Sequence, residues 1–201
     1  MKRYIIKKVE KEISGLFSPE WEDAEVIEIN KNNWEYSNIN ISTKARALYN
    51  DKGIFVKFNS DEHPVSVNCR KNNGDVFKDS TVEIFIAPEK GNGNYFNFEI
   101  NAEGYALIGW GYGRKRIRIE NLDFSRFRIQ TEITDNGFSV FLFIPFDFMK
   151  EYVSEISKEM KGNFQKCGET TPVIHFLSAF EINSPEPDFH RPECFGDFIL
   201  E

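Results

Sequence analysis

The chain has 201 residues and a formal net charge of −7, a balance that excludes a polyanion as its main partner, since phosphate binding needs a dominant basic face. With 40% apolar and 28% charged residues it is neither a disordered segment nor too small to bury one substantial core. Its 20 Phe, 7 Tyr and 3 Trp favour sheets, because bulky rings pack well on a pleated surface.

The opening residues, MKRYIIKKVEKE, place charges on both sides of two isoleucines. That is not a signal peptide, and no later stretch approaches a membrane span. A chain complete as it stands would be cytoplasmic; the compartment is otherwise unassigned. Gly53–Phe58 follows the turn Asn50-Asp51-Lys52-Gly53 and alternates as a strand. Thr81–Ala87 is a second strand, closed by Pro88 and the loop 91–94, and Tyr95–Asn101 is a third. Glu103-Gly104 then starts a hairpin partner running through Trp110. The basic run Arg114-Lys115-Arg116-Ile117-Arg118 reads either as a strand with cations on its solvent face or as arginines that hydrogen-bond sugar hydroxyls.

Arg126–Thr134 and Gly137–Ile144 form a hairpin across Asp135-Asn136, with the Asn-Gly step as the turn signal. One helix is expected where Met149, Val153, Ile156 and Met160 share a face, capped by Asp147 and ended by Gly162. No strand–helix–strand alternation, internal repeat or linker divides the chain. The expected architecture is all-β: one antiparallel, jelly-roll-like β-sandwich over residues 1–201, with roughly ten or more strands and one short helix.

Catalytic signatures are sparse. His63, His175 and His190 fit no metalloprotease or nucleophile-elbow pattern; His63 reads as a solvated loop residue and His175 as a hydrogen-bonded core residue. Gly109-Trp110-Gly111-Tyr112-Gly113 is not followed by a helix and so is not a phosphate loop. Cys69, Cys167 and Cys194 lack metal-ligand spacing and read as reduced thiols. Glu83 and Glu99 are the pair that a glycosidase would need, although carboxylates on strand faces are usually solvated or paired.

Two groups of segments carry a more specific signal. One is Phe77-Lys-Asp79-Ser80-Thr-Val82-Glu83-Ile-Phe85-Ile86, followed by Asn94-Tyr95-Phe96-Asn97-Phe98-Glu99-Ile100-Asn101-Ala-Glu-Gly104. The other is Asn163-Phe164-Gln-Lys166-Cys167-Gly168, continuing through His175–Ser178 to Pro187-Asp188-Phe189-His190-Arg191-Pro192-Glu193-Cys-Phe195-Gly196. With Trp21 and Thr43-Lys-Ala45-Arg46 upstream, they resemble the family 9 carbohydrate-binding modules, particularly free-standing family-9-like proteins.

The resemblance implies a non-catalytic β-sandwich that holds terminal sugar units, of glucose or xylose type, between aromatic rings, serving glycoside breakdown. Its partner would be a mono- or oligosaccharide, with no nucleic acid, no membrane and no required cofactor. Phe77 matches a clamp ring, where the family often has Trp, and Glu83 with Arg114 or Arg116 match polar contacts. Related sequences read H-x-L-S-W, whereas here Ala179 follows Ser178. Phe180 is one residue late and would face the other side of a strand unless a bulge intervenes. Trp110 or Tyr112 would then substitute. The candidate ligand-binding set is therefore Phe77, Glu83, Glu99, Trp110, Tyr112, Arg114, Arg116 and Phe180. Family members can hold structural calcium, which makes Asp61, Glu62 and Asp79 candidate ligands, while Asp79 also reads as an acceptor for loop amides. The string from Pro187 to Glu193 is read first as a fastening for the last strand, with Arg191 and Glu193 paired, and second as a ligand contact. Two other functions stay open: a glycoside hydrolase using Glu83 and Glu99, and a protein-interaction scaffold motivated by Ala179.

Overall fold

The computed structural model describes residues 2–36 and 39–201. In chain order the strands are β1 (Arg3–Lys8), β2 (Val26–Glu28), β3 (Thr43–Asn50), β4 (Gly53–Ser60), β5 (Thr81–Ala87), β6 (Tyr95–Asn101), β7 (Ala106–Gly111), β8 (Ile117–Arg118), β9 (Gln130–Thr134) and β10 (Gly137–Pro145). A single-turn helix α1 (Phe146–Met149) precedes β11 (Glu159–Gly168), β12 (His175–Ser178) and β13 (Gly196–Leu200). The strands follow the order β8-β7-β6-β5-β11-β13-β1-β3-β4-β10-β9, with β12 paired to β11 and β2 to β3. All ladders are antiparallel except those of β1, whose first half runs parallel to β13 and whose end runs parallel to β3. β1 thus hinges the sheet, letting its two halves fold face to face.

Period-two alternation fills the space between the halves. Val82, Ile84 and Ile86 of β5, with Phe96, Phe98 and Ile100 of β6, join Ala45, Ala47, Val56, Phe58, Val140 and Leu142 in one buried cluster. Fully burying such a side chain is worth about 1.5–3 kcal/mol, so this cluster supplies most of the drive to fold. The opposite face of β5 and β6 is buried as well, because the segment after β12 lies across it. Ile182, Phe189 and Phe195 of that segment pack on Phe85, Tyr95 and Cys167.

Two expected elements differ from the observed ones. The helix predicted from Met149 to Met160 stops at Met149, and both Met160 and Gly162 lie in β11. There Met160 opposes Phe198 and Gly162 opposes Ile86, so β5 and β13 provide ladders on both sides that a helix would forgo. Gly162 is required by packing: an added Cβ would lie 2.4 Å from the Phe198 ring. Asp147 does not cap the helix start, which is Pro145; its carboxylate accepts from the neighbouring Phe148 N–H at 2.7 Å. The strand predicted from Arg126 begins only at Gln130. Phe124–Phe127 instead forms a 3-10 turn, capped by Asp123 Oδ1 accepting from Ser125 N at 3.0 Å, which sinks Phe127 against Phe98 and Phe148. Among the described residues no helix is long and apolar enough to cross a membrane.

Candidate functional site

The outward residues of three adjacent strands form the floor of a pocket. Gln165 of β11 lies opposite Glu83 of β5, and Glu83 lies opposite Glu99 of β6, so the three side chains make one row across the sheet. Glu83 Oε1 accepts from the Cys167 thiol at 3.1 Å. Glu99 Oε1 accepts from Asn97 Nδ2 at 2.8 Å and lies 3.5 Å from Arg116 Nη2. Arg116 is fixed in turn by donating Nε to Asn97 Oδ1 at 3.1 Å. The second oxygen of each glutamate, and both the oxygen and the nitrogen of the Gln165 amide, are buried without a partner. A buried polar group left unpaired costs about 1–3 kcal/mol, so such a row is a binding surface or a liability.

Electrostatics sharpen the picture. Burial, followed by the neighbouring Glu99 carboxylate, holds Glu83 well above the usual carboxylate range. Burial also raises Glu99 to about 7, against the attraction of Arg116. The Cys167 thiol is pushed up by burial and then by Glu83, so it is an unreactive donor rather than a nucleophile.

The walls come from separate parts of the chain. Phe77, on a 3-10 turn before β5, stands with Phe176, Pro187 and Phe189 around a cavity of ≈ 90 Å³. Arg114, Arg116, Glu169, Asp188 and His190 complete it, and Arg114 pairs with Asp188 at 2.8 Å. His190 stacks on Phe85 with ring centres 4.8 Å apart and shares a 2.8 Å hydrogen bond between its Nδ1 and the Tyr95 hydroxyl. Burial, aided by Arg116 and Arg114, lowers His190 to about 2.

Five of the sequence-derived residues meet here: Phe77, Glu83, Glu99, Arg114 and Arg116. Trp110, Tyr112 and Phe180 do not. The Trp110 ring turns to the core face and packs on Phe96 at 4.2 Å. Tyr112 is 54% exposed and lies against Gly93. Phe180 lies beyond the end of β12, where alternation no longer applies, and packs on Phe198 and over Gly196 in the same core cluster as Leu177 and Ala179. Phe176 and Phe189 provide rings in their stead. Phe176 was legible in principle, since it faces away from the core residue Leu177 on the same strand. The basic run is no cation-bearing strand: Gly113–Lys115 is a 3-10 turn that brings Arg114 and Arg116 to the pocket, and only Ile117–Arg118 pairs. The Pro187–Glu193 string divides between its two readings. Pro187 to His190 line the cavity, whereas Arg191 pairs with Glu193 at 2.8 Å. Glu169 is a site residue that the motif reading passed over.

The remaining candidates are occupied elsewhere. Asp79 accepts from the N–H groups of Asn68 and Cys69, each at 3.0 Å. Glu62 accepts from Ser80 Oγ at 2.9 Å and pairs with Lys166 at 2.6 Å, and Asp61 accepts from Ser42 N at 2.6 Å. Among the described residues no three His, Cys, Asp or Glu side chains converge as metal ligands. All three cysteines are free thiols.

His175 is wholly buried, its Nδ1 at 2.7 Å from the Val173 carbonyl and its Nε2 at 2.8 Å from Lys166 Nζ. Burial, then Lys166, lowers it to about 4. The unfolded chain therefore binds a proton at this residue before the folded one does. Its contribution is complete above the ordinary histidine value, about 6.5, and is lost as the pH falls through about 4. Imidazole NMR titration should find His175 and His190 still neutral at pH 5; a charged His175 there would contradict this burial.

Fold and pocket together define a β-sandwich binding module with an aromatic-walled, polar-floored site on the outer face of one sheet. The model of carbohydrate-binding family 9 matches residues 19–200, and the chain belongs to that family. A Bacteroides uniformis structure described as a candidate carbohydrate-binding protein is 26% identical, with a TM-score of 0.88 over 100% of this chain and 99% of that one. Two structures of a family 9 module from Caldicellulosiruptor kristjanssonii share the fold at 16% identity. The glucose complex has a TM-score of 0.68 over 100% of this chain and 96% of that one. The cellotriose complex has 0.66 over 100% and 94%. No match was found among curated proteins.

Proposed function

We propose that the pocket binds a terminal sugar unit of a plant-type glucan or xylan, without catalysis and without a required cofactor, in support of glycoside breakdown. The observation that carries this reading is the row of unpaired carboxyl oxygens on the floor, from Glu83 and Glu99, set among Phe77, Phe176 and Phe189. Equatorial hydroxyls can satisfy that row, while the apolar C–H faces of a pyranose pack on rings. The glucose and cellotriose held by the C. kristjanssonii module are ligands of this class. Hydrolysis is the weaker reading. Glu83 and Glu99 stand directly opposite each other on neighbouring strands, side by side on one floor, whereas a glycosidase needs its carboxyls on either side of the scissile bond.

Calorimetric titration with glucose, xylose, cellobiose and xylobiose tests the proposal. At least one should bind, and Arg116→Ala should weaken it about tenfold or more, the worth of one charge-assisted hydrogen bond. Flat titrations with all four would overturn the reading; turnover of aryl glycosides would replace it with the enzyme.

A further inference from the structure

We propose that the two carboxyls on the pocket floor take opposite parts toward the sugar: Glu83 is a neutral acid whose Oε2 hydroxyl donates to a ligand oxygen, and Glu99 is the carboxylate that accepts from a ligand hydroxyl. This rests on the sugar reading of the pocket and deepens it by fixing which groups a ligand must present. The two residues have different surroundings. Asn97 Nδ2 donates to Glu99 Oε1 at 2.8 Å, and Arg116 Nη2 lies 3.5 Å from the same oxygen, as suits an anion. Among the described residues no cation forms an ion pair with Glu83, whose Oε1 is met by the Cys167 thiol at 3.1 Å. That thiol has one hydrogen, and the Phe77 carbonyl lies the same 3.1 Å from its sulfur. A buried carboxylate needs a paired cation or several donors, whereas a buried acid needs an acceptor for its single proton.

Counting charges gives the same assignment. Glu83 and Glu99 stand directly opposite each other on β5 and β6, which puts their Cβ atoms about 4.5–5.5 Å apart. Among the described residues Arg116 is the one cation paired with either of them. Arg114 is engaged by Asp188 and Arg118 by Asp75, while His190 is held neutral by burial. One proton on the pair makes the two carboxyls and Arg116 sum to zero. With no proton, the buried floor would keep an uncompensated negative charge, to which the nearby Glu169 adds repulsion. Arg116 favours the ionised form of Glu99, so the proton stays on Glu83. The order of titration agrees, since Glu99 ionises at about 7 and burial with the Glu99 charge holds Glu83 well above the usual carboxylate range. The floor then presents a donor beside an acceptor. Neighbouring hydroxyls of a neutral sugar answer both, because each can accept one hydrogen bond and donate another. Two carboxylates would accept only.

Infrared difference spectra of the free protein, parent minus Glu83→Gln, should show the carbonyl stretch of a protonated carboxylic acid at about pH 8.5, where Glu99, at about 7, is already ionised. Absence of that band would overturn the proposal without involving any sugar. Calorimetry with glucose, xylose, cellobiose and xylobiose at the same pH gives the second readout. Glu83→Ala should weaken the best ligand about tenfold, the worth of one hydrogen bond. Glu83→Gln should recover it to within about threefold, because the amide oxygen replaces Oε1 beside the thiol and the amide N–H replaces the acid hydroxyl as donor. Glu99→Gln should stay about tenfold weaker than the parent, having lost a charged acceptor. Glu83→Gln as weak as Glu83→Ala, or Glu99→Gln as strong as the parent, would overturn the assignment and leave the sugar reading standing. Flat titrations of the parent with every sugar would overturn that reading and the ligand roles with it, whatever the infrared band shows.

Discussion

Glu99→Gln should flatten the dependence of stability on pH, with the largest gain over the parent above pH 7. Glu99 is buried beside Glu83, and burial lifts it from 4.5 to about 7 despite Arg116. Its folded state therefore holds a proton more tightly than its unfolded state. The associated stability is complete below about pH 4.5 and is lost as the pH rises through about 7. A tenfold difference in proton affinity between the two states is worth about 1.4 kcal/mol, so the parent should lose about 2–3 kcal/mol between roughly pH 4.5 and 8 that the glutamine variant keeps. In a domain of this size that amounts to roughly 4–12 °C in Tm. Thermal unfolding across this pH range checks it, and parallel curves for parent and variant would contradict the burial of an unsatisfied carboxyl. The same substitution should weaken sugar binding, because it replaces an acceptor on the pocket floor. A stability gain accompanied by a loss of affinity is the expected mark of a site held unsatisfied for its ligand.

The second large effect lies beneath the floor. Lys166 alternates with Gln165 and Cys167 and therefore points inward, where it is wholly buried 5.6 Å from the Phe138 ring. Its ammonium donates to the Cys167 carbonyl at 2.9 Å, shares a hydrogen bond with His175 Nε2 at 2.8 Å and forms an ion pair with Glu62 at 2.6 Å. Glu62 is held in turn by Ser80 Oγ. Lys166→Met strands a buried carboxylate, and Glu62→Gln strands a buried ammonium. Each should cost about 3–5 kcal/mol, or roughly 6–20 °C in Tm. The double variant should recover most of the loss, since the desolvation cost of a buried pair offsets much of its attraction. A loss in the double variant equal to the sum of the two single losses would show that the residues do not act as a pair.

How far the sequence could be read follows from what each feature depends on. The strands β5 and β6 were delimited to the residue, because alternation and flanking Gly and Pro are local properties. The helical spacing from Met149 to Met160 misled for the converse reason. Two neighbouring strands compete for that backbone, and spacing along one segment carries no record of them. The pocket divides in the same way. Phe77, Glu83, Glu99, Arg114 and Arg116 were found because they belong to motifs on and beside contiguous strands. Which rings complete the wall was settled by the segment after β12, whose course over the sheet brings Phe189 and His190 to Phe85 and Tyr95.

The amino-acid sequence by itself thus determined the all-β class, the family and the strands that present the acidic row. Each is written in side-chain alternation and short motifs, and needs no knowledge of distant neighbours. Only the tertiary structure decided that β1 joins the two halves by parallel ladders, that Gln165 completes the row, and that Trp110 and Phe180 turn to the core. Those outcomes depend on register between strands far apart in the chain, where a shift of one residue exchanges the buried face for the open one.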